Sequence, residues 1–387
     1  MESLVTVSQL KGSEPSPAGP DVPSRLVPLN FVQAPGSLRR TSSQPPSSST
    51  HSVQVYSNLR QHVSRWGPFE PHTGFARWSS STPISKLVFA EDEGVEPSAL
   101  RHIHLAGSES NEFPSYDSAS EFQSALRQAF LDWKSAPDSR APSPLVVSFT
   151  PAPTYTLGRR QKTLLPEQLD RLQQPLTIID EKKAKAGEQN GGTGLREQQF
   201  TPKVIETDRG GLTTYHGPGQ VVLWPILDLH SRYYPHLTVR SYARLLEETT
   251  QAILADGPGI QTYLSEDEPG VWAESARQRT GGQERKIAAM GVHLRRHISG
   301  LGTALNVDVV VDGDEALNPW ARFVPCGLEG KTATSVRAEV GEVHWRQLSL
   351  AGDGKAKREW YARRWAEELA KRLGVGIAPT TVHQRLG

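Results

Sequence analysis

Three short stretches of this sequence carry residue types able to do chemistry. Asp208 to Gln220, DRGGLTTYHGPGQ, packs four glycines and a proline into a dozen residues just before an apolar run. Glycine tolerates positive φ and lets backbone approach a ligand closely. Such a loop can offer N–H groups to a carbonyl or a phosphate, with Arg209 supplying charge and His216 a donor. The alternative is a tight double turn with a surface arginine. Arg285 to Val292 sets Lys286 in an otherwise small, apolar strand, where burial would disfavour the ammonium; an edge-strand gatekeeper would have the same sequence. Phe323 to Leu328 holds the single cysteine, Cys326, between Pro325 and Gly327, a constrained turn from which a thiol is easily aimed. A lone cysteine can equally be a small buried hydrophobe. A free thiol titrates near about 8.5 and is mostly protonated at neutral pH, so a nucleophilic cysteine needs a nearby cation or base.

Other chemistries find less support. There is no Gly-x-Ser-x-Gly elbow, no His-Glu-x-x-His and no paired Cys-x-x-Cys, and no metal is expected. His293 and His297 are four apart, but on an expected strand and its turn. Gly191-Gly192-Thr193-Gly194 has neither a strand leading in nor a Gly-Lys-Ser/Thr following, and is not read as a phosphate loop.

The elements that must position these stretches give an α/β (α+β) pattern. Phe122, Ala125, Leu126, Ala129 and Phe130 mark a helix over Glu121 to Lys134, with Ser118 and Glu121 as a capping box. Leu145 to Phe149 reads as a buried strand and Gln220 to Leu229 as another. A helix follows over Thr238 to Ala255. Lys286 to Arg295 and Thr303 to Val311 read as a hairpin turning at Ser299-Gly300, and a last helix carries Tyr361, Trp365, Leu369 and Leu373 and stops at Gly374. One catalytic domain is expected over 98–387. A polar, Gly- and Lys-rich segment at 181–202 is expected to be a disordered surface insertion, and 1–97 a disordered N-terminal extension.

Composition narrows the function classes. Of 387 residues 36% are hydrophobic and 29 are proline, so one good core with unfolded flanks is expected. With 43 Lys+Arg against 42 Asp+Glu the net charge is +1, too small for a nucleic-acid or membrane-surface field. No apolar run approaches the roughly 18 residues of a membrane helix. One cysteine makes no intramolecular disulfide, which suits a reducing compartment. Between Val22 and Ser85 the ionised side chains are six arginines and Glu70, resembling an organelle transit segment. Glu2, Glu14 and Asp21 before it count against that reading.

Taken in order, Arg-Gly-Gly-x-x-Thr-Tyr-His-Gly-x-Gly-Gln (209–220), Lys-Ile-Ala-x-x-Gly (286–291), Gly-x-Ala-Leu-Asn (302–306) and Pro-Cys-Gly (325–327) with Thr334-Ser335, preceded by Tyr155-Thr156-Leu157-Gly158-Arg159-Arg160, resemble the lipoyl(octanoyl) transferase family, also called lipoate-protein ligase B. The resemblance runs from about Leu100 to the last helix. It implies a mixed-sheet fold like the biotin/lipoyl-protein ligase catalytic domain. It also implies transfer of an octanoyl group from octanoyl-acyl carrier protein to a lysine of lipoyl domains, those of 2-oxoacid dehydrogenase complexes and the glycine cleavage H protein, in a fungal mitochondrial monomer. On that carry-over Cys326 is the acyl-thioester nucleophile and Lys286 the residue that raises its thiolate fraction. Arg209, Gly210, Gly211, Leu212, Thr213, Thr214, Tyr215 and His216, with Ala289, Met290, Gly291, Gly302, Thr303 and Ala304, would line the substrate site, and no cofactor, metal or nucleotide is implied. Arg159, Arg160, Arg295 and Arg296 are candidates to face an acidic carrier protein. Two positions depart from the family pattern: Leu301 stands where a histidine is usual, and Pro225 where a tyrosine is common. An ATP-dependent lipoate or octanoate ligase of the same fold, a non-catalytic carrier-binding module and a Cys326/His216 hydrolase are the rival classes.

Overall fold

The structure, a computed structural model, describes residues 84–89, 95–108, 110–136, 140–161, 163–183, 193–274, 284–323, 331–348 and 353–386. In chain order the strands are β1 (Arg101–Ala106), β2 (Leu145–Phe149), β3 (Thr154–Leu157), β4 (Leu176–Lys183), β5 (Thr193–Phe200), β6 (Lys203–Glu206), β7 (Thr214–His216), β8 (Gln220–Ile226), β9 (Thr262–Leu264), β10 (Gly270–Ala273), β11 (Glu284–Arg295), β12 (Ile298–Asn306), β13 (Lys331–Ala333) and β14 (Val382–Arg385). The helices are α1 (Ile84–Val88), α2 (Tyr116–Ser135), α3 (Pro166–Leu172), α4 (Val239–Asp256), α5 (Val336–Gln347) and α6 (Gly354–Leu373).

A mixed sheet runs β14-β1-β2-β8-β12-β11-β10-β9, with β13 added beside β11. Its central strands β2 and β8 are buried on both faces, so successive residues divide between two cores. On one face Val221, Leu223, Val292 and Leu305 meet Tyr242 and Leu246 of α4 and Trp360, Tyr361, Trp365 and Leu369 of α6. On the other, Val222, Trp224, Ile226 and Ala304 meet Leu126 and Phe130 of α2 and Leu87 and Val88 of α1. Smaller sheets, β6-β3-β7 and β4-β5, complete an α/β fold.

Several expectations are met closely. β2 has the expected bounds, Thr238 caps α4, and Gly374 ends α6 in a left-handed conformation at φ 75°. Others need correction. Helix α2 starts at Tyr116 under a Ser115 cap that accepts from the Ser118 N–H at 3.0 Å, not at a Ser118/Glu121 box. The hairpin turns at Arg296 and His297, at φ 49° and 68°, rather than at Ser299-Gly300. A two-residue turn with both φ positive matches strand twist, but here it lacks the glycine or asparagine that announces one.

The two segments expected to be disordered are ordered in part. Leu87 and Val88 are buried, the Arg101 guanidinium donates to the Leu87 carbonyl, and Ser143 N–H donates to the Val88 carbonyl at 3.1 Å. Order therefore reaches into the expected 1–97 extension; most of the rest of it lies outside the described residues. Residues 181–183 and 193–200 of the expected insertion belong to β4 and β5, paired antiparallel, and 184–192 lie outside the described residues. Polar composition concealed this because buried charges there are paired. Asp180 and Asp308 flank Arg358 at 3.2 and 2.9 Å, and Glu181 takes Lys357 at 3.1 Å and the Trp345 indole N–H at 3.1 Å.

The two departures noted in the sequence turn out to be neighbours. The β8–β12 register pairs Leu223 with Thr303; counted on, it sets Pro225 opposite Leu301. Proline has no N–H for the ladder, and the β8–β12 pairing ends at Leu223–Thr303 while β12 stays paired with β11. Leu301 takes φ 59°, its N–H donates to Gln123 Oε1 of α2 at 3.3 Å, and the Ser299 hydroxyl donates to the Pro225 carbonyl at 2.9 Å. A left-handed backbone costs a residue with a Cβ on the order of 1 kcal/mol. Next to it only glycine fits: a Cβ on Gly302 would lie 2.2 Å from the Leu223 carbonyl oxygen.

Candidate active site

The β11–β12 hairpin supplies the floor of a cleft. Register pairs Ala289 with Ala304 and Gly291 with Gly302. Strand alternation sends Ala288 and Val292 into the α4/α6 core and the four small residues to the other face. Above them lies about 380 Å³ of unfilled space, including its open mouth. The walls are Val222 and Trp224 of β8, Leu301, Tyr116 at the start of α2, and Arg209, Thr214 and His216 from the glycine loop and β7. Trp224 is held edge-on by Phe149 at 4.6 Å and by Tyr116 at 5.3 Å.

The loop 209–216 is braced by 155–160. Arg209 is buried, donating to the Thr156 carbonyl at 2.6 Å, the Thr156 hydroxyl at 2.8 Å and the Gly210 carbonyl at 3.0 Å. Arg159 N–H donates back to the Arg209 carbonyl at 3.0 Å. A Cβ on Gly158 would sit 2.5 Å from the Gly211 carbonyl oxygen, so the two segments can touch only through glycine.

His216 is oriented by a relay. The Thr334 carbonyl can only accept, so the Asn306 amide nitrogen faces it at 2.9 Å; Asn306 Oδ1 then accepts from Gln220 Nε2 at 2.8 Å. Gln220 Oε1 is left to face His216 Nδ1 at 2.8 Å. The proton is thus on Nδ1 and Nε2 carries the lone pair. Burial, with Arg209 nearby, pushes the imidazole down to about 3. It is neutral throughout the physiological range, too weak a base to be matched to proton transfer at neutral pH and unable to stabilise a thiolate as an imidazolium. That argues against a Cys326/His216 hydrolase. Tyr116, ring centroid 5.2 Å from His216, is pushed up to about 12 by burial.

A pH dependence of stability follows. His216, near 3, and His104, pushed down to about 4 by burial, lie below the unfolded value of about 6.5. The unfolded chain binds these protons first, so the contribution is complete above about pH 6.5 and lost as pH falls towards 4. Urea unfolding midpoints measured from pH 8 to 4 are expected to fall across that window, and His104→Gln to flatten the fall.

Lys286 is not an edge gatekeeper. β11 is interior: Lys286 pairs with Trp272 of β10 on one side and with Ala333 of β13 on the other. Its ammonium lies 3.7 Å from Glu268, donates to the Pro269 carbonyl at 3.3 Å and sits 4.5 Å from the centre of the Trp272 ring. Lys331 shares Glu268 at 3.7 Å and the same ring at 4.9 Å.

Of the fourteen expected substrate-site residues, the structure gathers Arg209, Thr214, His216, Ala289, Met290, Gly291, Gly302, Thr303 and Ala304 around the cleft. Gly210, Gly211, Leu212, Thr213 and Tyr215 support the loop instead. Thr213 donates to Gln161 at 2.9 Å, and Tyr215 packs away from the cleft against Tyr155 and Trp320. Sequence reasoning missed Tyr116, Val222 and Trp224 as wall residues. It had marked Leu301 only as a departure. Lys286 is three residues before Ala289, roughly 10 Å along β11. Cys326 lies outside the described residues, as do its neighbours 324–330. The segment that follows is placed: Thr334 N–H donates to the Lys286 carbonyl at 2.9 Å, while its own carbonyl anchors the His216 relay. Arg159 is paired with the exposed Asp208 at 3.4 Å and Arg296 with the Ser135 hydroxyl at 3.0 Å; Arg160 and Arg295 are exposed. Among the described residues no group of three or more His, Cys, Asp or Glu is arranged to hold a metal ion.

The model of the lipoyl protein ligase A/B catalytic domain matches residues 120–350. The "Probable octanoyltransferase" of Schizosaccharomyces pombe is 31% identical over 240 residues, 62% of this chain and 87% of that protein. The octanoyltransferase of Alkalilimnicola ehrlichii is 44% identical over 147 residues, covering 37% of this chain and 60% of its own length. The mitochondrial octanoyltransferase of Saccharomyces cerevisiae is 29% identical over 241 residues, 60% of this chain and 61% of that one. The chain thus spans about three fifths of the length of two of these three. A solved bi-partite lipoate protein ligase from Thermoplasma acidophilum matches loosely, at 13% identity and TM-score 0.40, over 73% of this chain and 88% of that one.

Proposed function

Since the chain belongs to the lipoyl protein ligase A/B catalytic-domain family, on its octanoyltransferase side, we propose that it carries an octanoyl group from octanoyl-acyl carrier protein to a lysine of lipoyl domains through a thioester on Cys326. The observation that carries the reading is Thr334. It ties the strand bearing Lys286 to the relay holding His216, at the end of the segment that leads out from Cys326. Lys331 is five positions after Cys326, a span of at most about 18 Å, and the Lys331 and Lys286 ammonium groups share Glu268.

In the first half-reaction the Cys326 thiolate attacks the thioester carbonyl; the carrier's C–S bond breaks and the departing thiolate takes a proton, for which Lys286 is the donor. In the second, the acceptor lysine attacks the Cys326 thioester, an amide forms, the Cys326 thiolate leaves, and the amine's proton passes to Lys286. The cleft suits both halves. Its small-residue floor and the Val222, Trp224 and Leu301 walls accept a chain of methylenes, while Arg209, Thr214 and neutral His216 give one side polar character. Acceptors would be the lipoyl domains of 2-oxoacid dehydrogenase complexes and the glycine cleavage H protein, met by a single chain in the mitochondrion. The arginines between Val22 and Ser85 and the mitochondrial relative support that location.

Intact-protein mass spectrometry after incubation with octanoyl-acyl carrier protein, without ATP or metal, tests the reading. An octanoyl adduct is expected on the wild type, absent in Cys326→Ser and discharged by apo lipoyl domain. No adduct, with octanoylation of the domain only when ATP and free octanoate are supplied, would move the chain to the ligase class.

A further inference from the structure

We propose that Leu301 sets the length of acyl chain the cleft accepts, a reading that rests on the acyl site above. The argument begins with the direction of one side chain. By register Leu301 pairs with Val292, and by alternation it shares a face with Thr303 and Leu305. Val292 and Leu305 lie in the core under α4 and α6. Leu301 does not join them. Its left-handed backbone, φ 59°, turns the side chain to the opposite face, where it packs with the Trp224 cluster and lines the cleft. Glycine would adopt this backbone with far less strain, so what the conformation delivers is the isobutyl group itself. Strain of this kind persists where the surrounding structure holds it and clusters at ligand sites. Here Pro225, the Ser299 hydroxyl and the Gln123 side chain hold it.

The other walls leave little room for adjustment. Val222 and Trp224 are fully buried, and Trp224 is clamped between Phe149 and Tyr116. The floor is two glycines and two alanines, which offer nothing to stop a chain. Two flexible apolar residues of the lining are only half-buried, Met290 and Leu301; Met290 packs with the α4/α6 core, whereas Leu301 rises beside Gly302 on the Trp224 side. Its truncation would lengthen the trough by about the space of three carbons without touching Arg209, His216 or Lys286.

Transfer to apo lipoyl domain is to be measured as kcat/KM for acyl carrier protein loaded with chains of six to fourteen carbons, with wild type, Leu301→Ala, Leu301→Gly and Leu301→Phe. Free fatty acids of the same lengths are titrated calorimetrically into each protein, reading the cleft without catalysis. The Ala and Gly variants are expected to move the optimum at least two carbons longer, with the dodecanoyl-to-octanoyl ratio rising roughly 10- to 100-fold, the scale of discrimination by one or a few methylenes; Phe should move it shorter. The Gly variant suits the φ at this position and keeps the test valid if Ala folds poorly. A wild type peaked at one length whose peak is unchanged in both Ala and Gly overturns the gauge and leaves the transfer reading standing. A wild type that transfers no acyl group and binds no fatty acid overturns both.

Discussion

Lys286→Ala is expected to slow octanoyl transfer by roughly 10²- to 10⁴-fold, the range for losing a positioned acid–base group, while changing stability by about 1 kcal/mol or less. The contrast follows from the neighbours. Lys331 lies as close to Glu268 and nearly as close to the Trp272 ring as Lys286 does, so a second ammonium already satisfies the carboxylate when the first is removed. Only Lys286, though, is on β11, three residues from the cleft floor. Lys286→Arg should fail to restore transfer, because a guanidinium holds the charge but does not give up its proton. The rate of adduct formation separates the roles. In Lys286→Ala it should rise with pH along the thiol's own titration, near about 8.5; an unchanged rate and profile at neutral pH would remove Lys286 from the mechanism.

Arg358→Ala carries the largest expected loss of stability, about 3–5 kcal/mol, the cost of stranding buried charge. Arg358 is 2% exposed and bonded to Asp308 at 2.9 Å and Asp180 at 3.2 Å. Burial pushes the Asp308 carboxyl up even with Arg358 holding it down, so its removal leaves two carboxylates facing each other without their shared cation. The deficit should shrink as pH falls, since protonation removes the charge that has lost its partner. Asp180→Asn and Asp308→Asn added to Arg358→Met should recover most of it. Urea unfolding of the full chain at pH 8 and pH 5 reads both effects. A loss under 1 kcal/mol would show that the triad does not hold β4 to α6.

Periodic segments were legible in the sequence because local burial alone determines them. α4 and β2 appeared with nearly correct bounds, and α6 with the correct end. The chemistry-bearing stretches were legible because glycines, a lysine and a histidine at fixed spacings narrow the options. What stayed hidden depends on groups far apart in the chain. The β4–β5 pair reads as solvent-exposed ballast until Arg358 and Lys357, some 180 positions later, are seen to neutralise Asp180 and Glu181. The hairpin was misplaced by residues that tolerate positive φ only because a partner strand compels it. Leu301 and Pro225 were each noticed, but nothing local says that 225 and 301 are opposite one another. Tyr116 reaches the cleft from the first turn of a helix whose start was set five residues too late.

The sheet's outer edge has a consequence for how the chain is made. β14 lies alongside β1, and the His102 side chain meets Thr381 279 positions later. On a ribosome releasing about 5–20 residues each second, β1 would emerge many seconds before the strand that covers its free edge. Until then a row of unpaired backbone groups would be available to any passing strand. Synthesis therefore includes an interval of exposure of the β1 edge that lasts until Val382–Arg385 has emerged and paired.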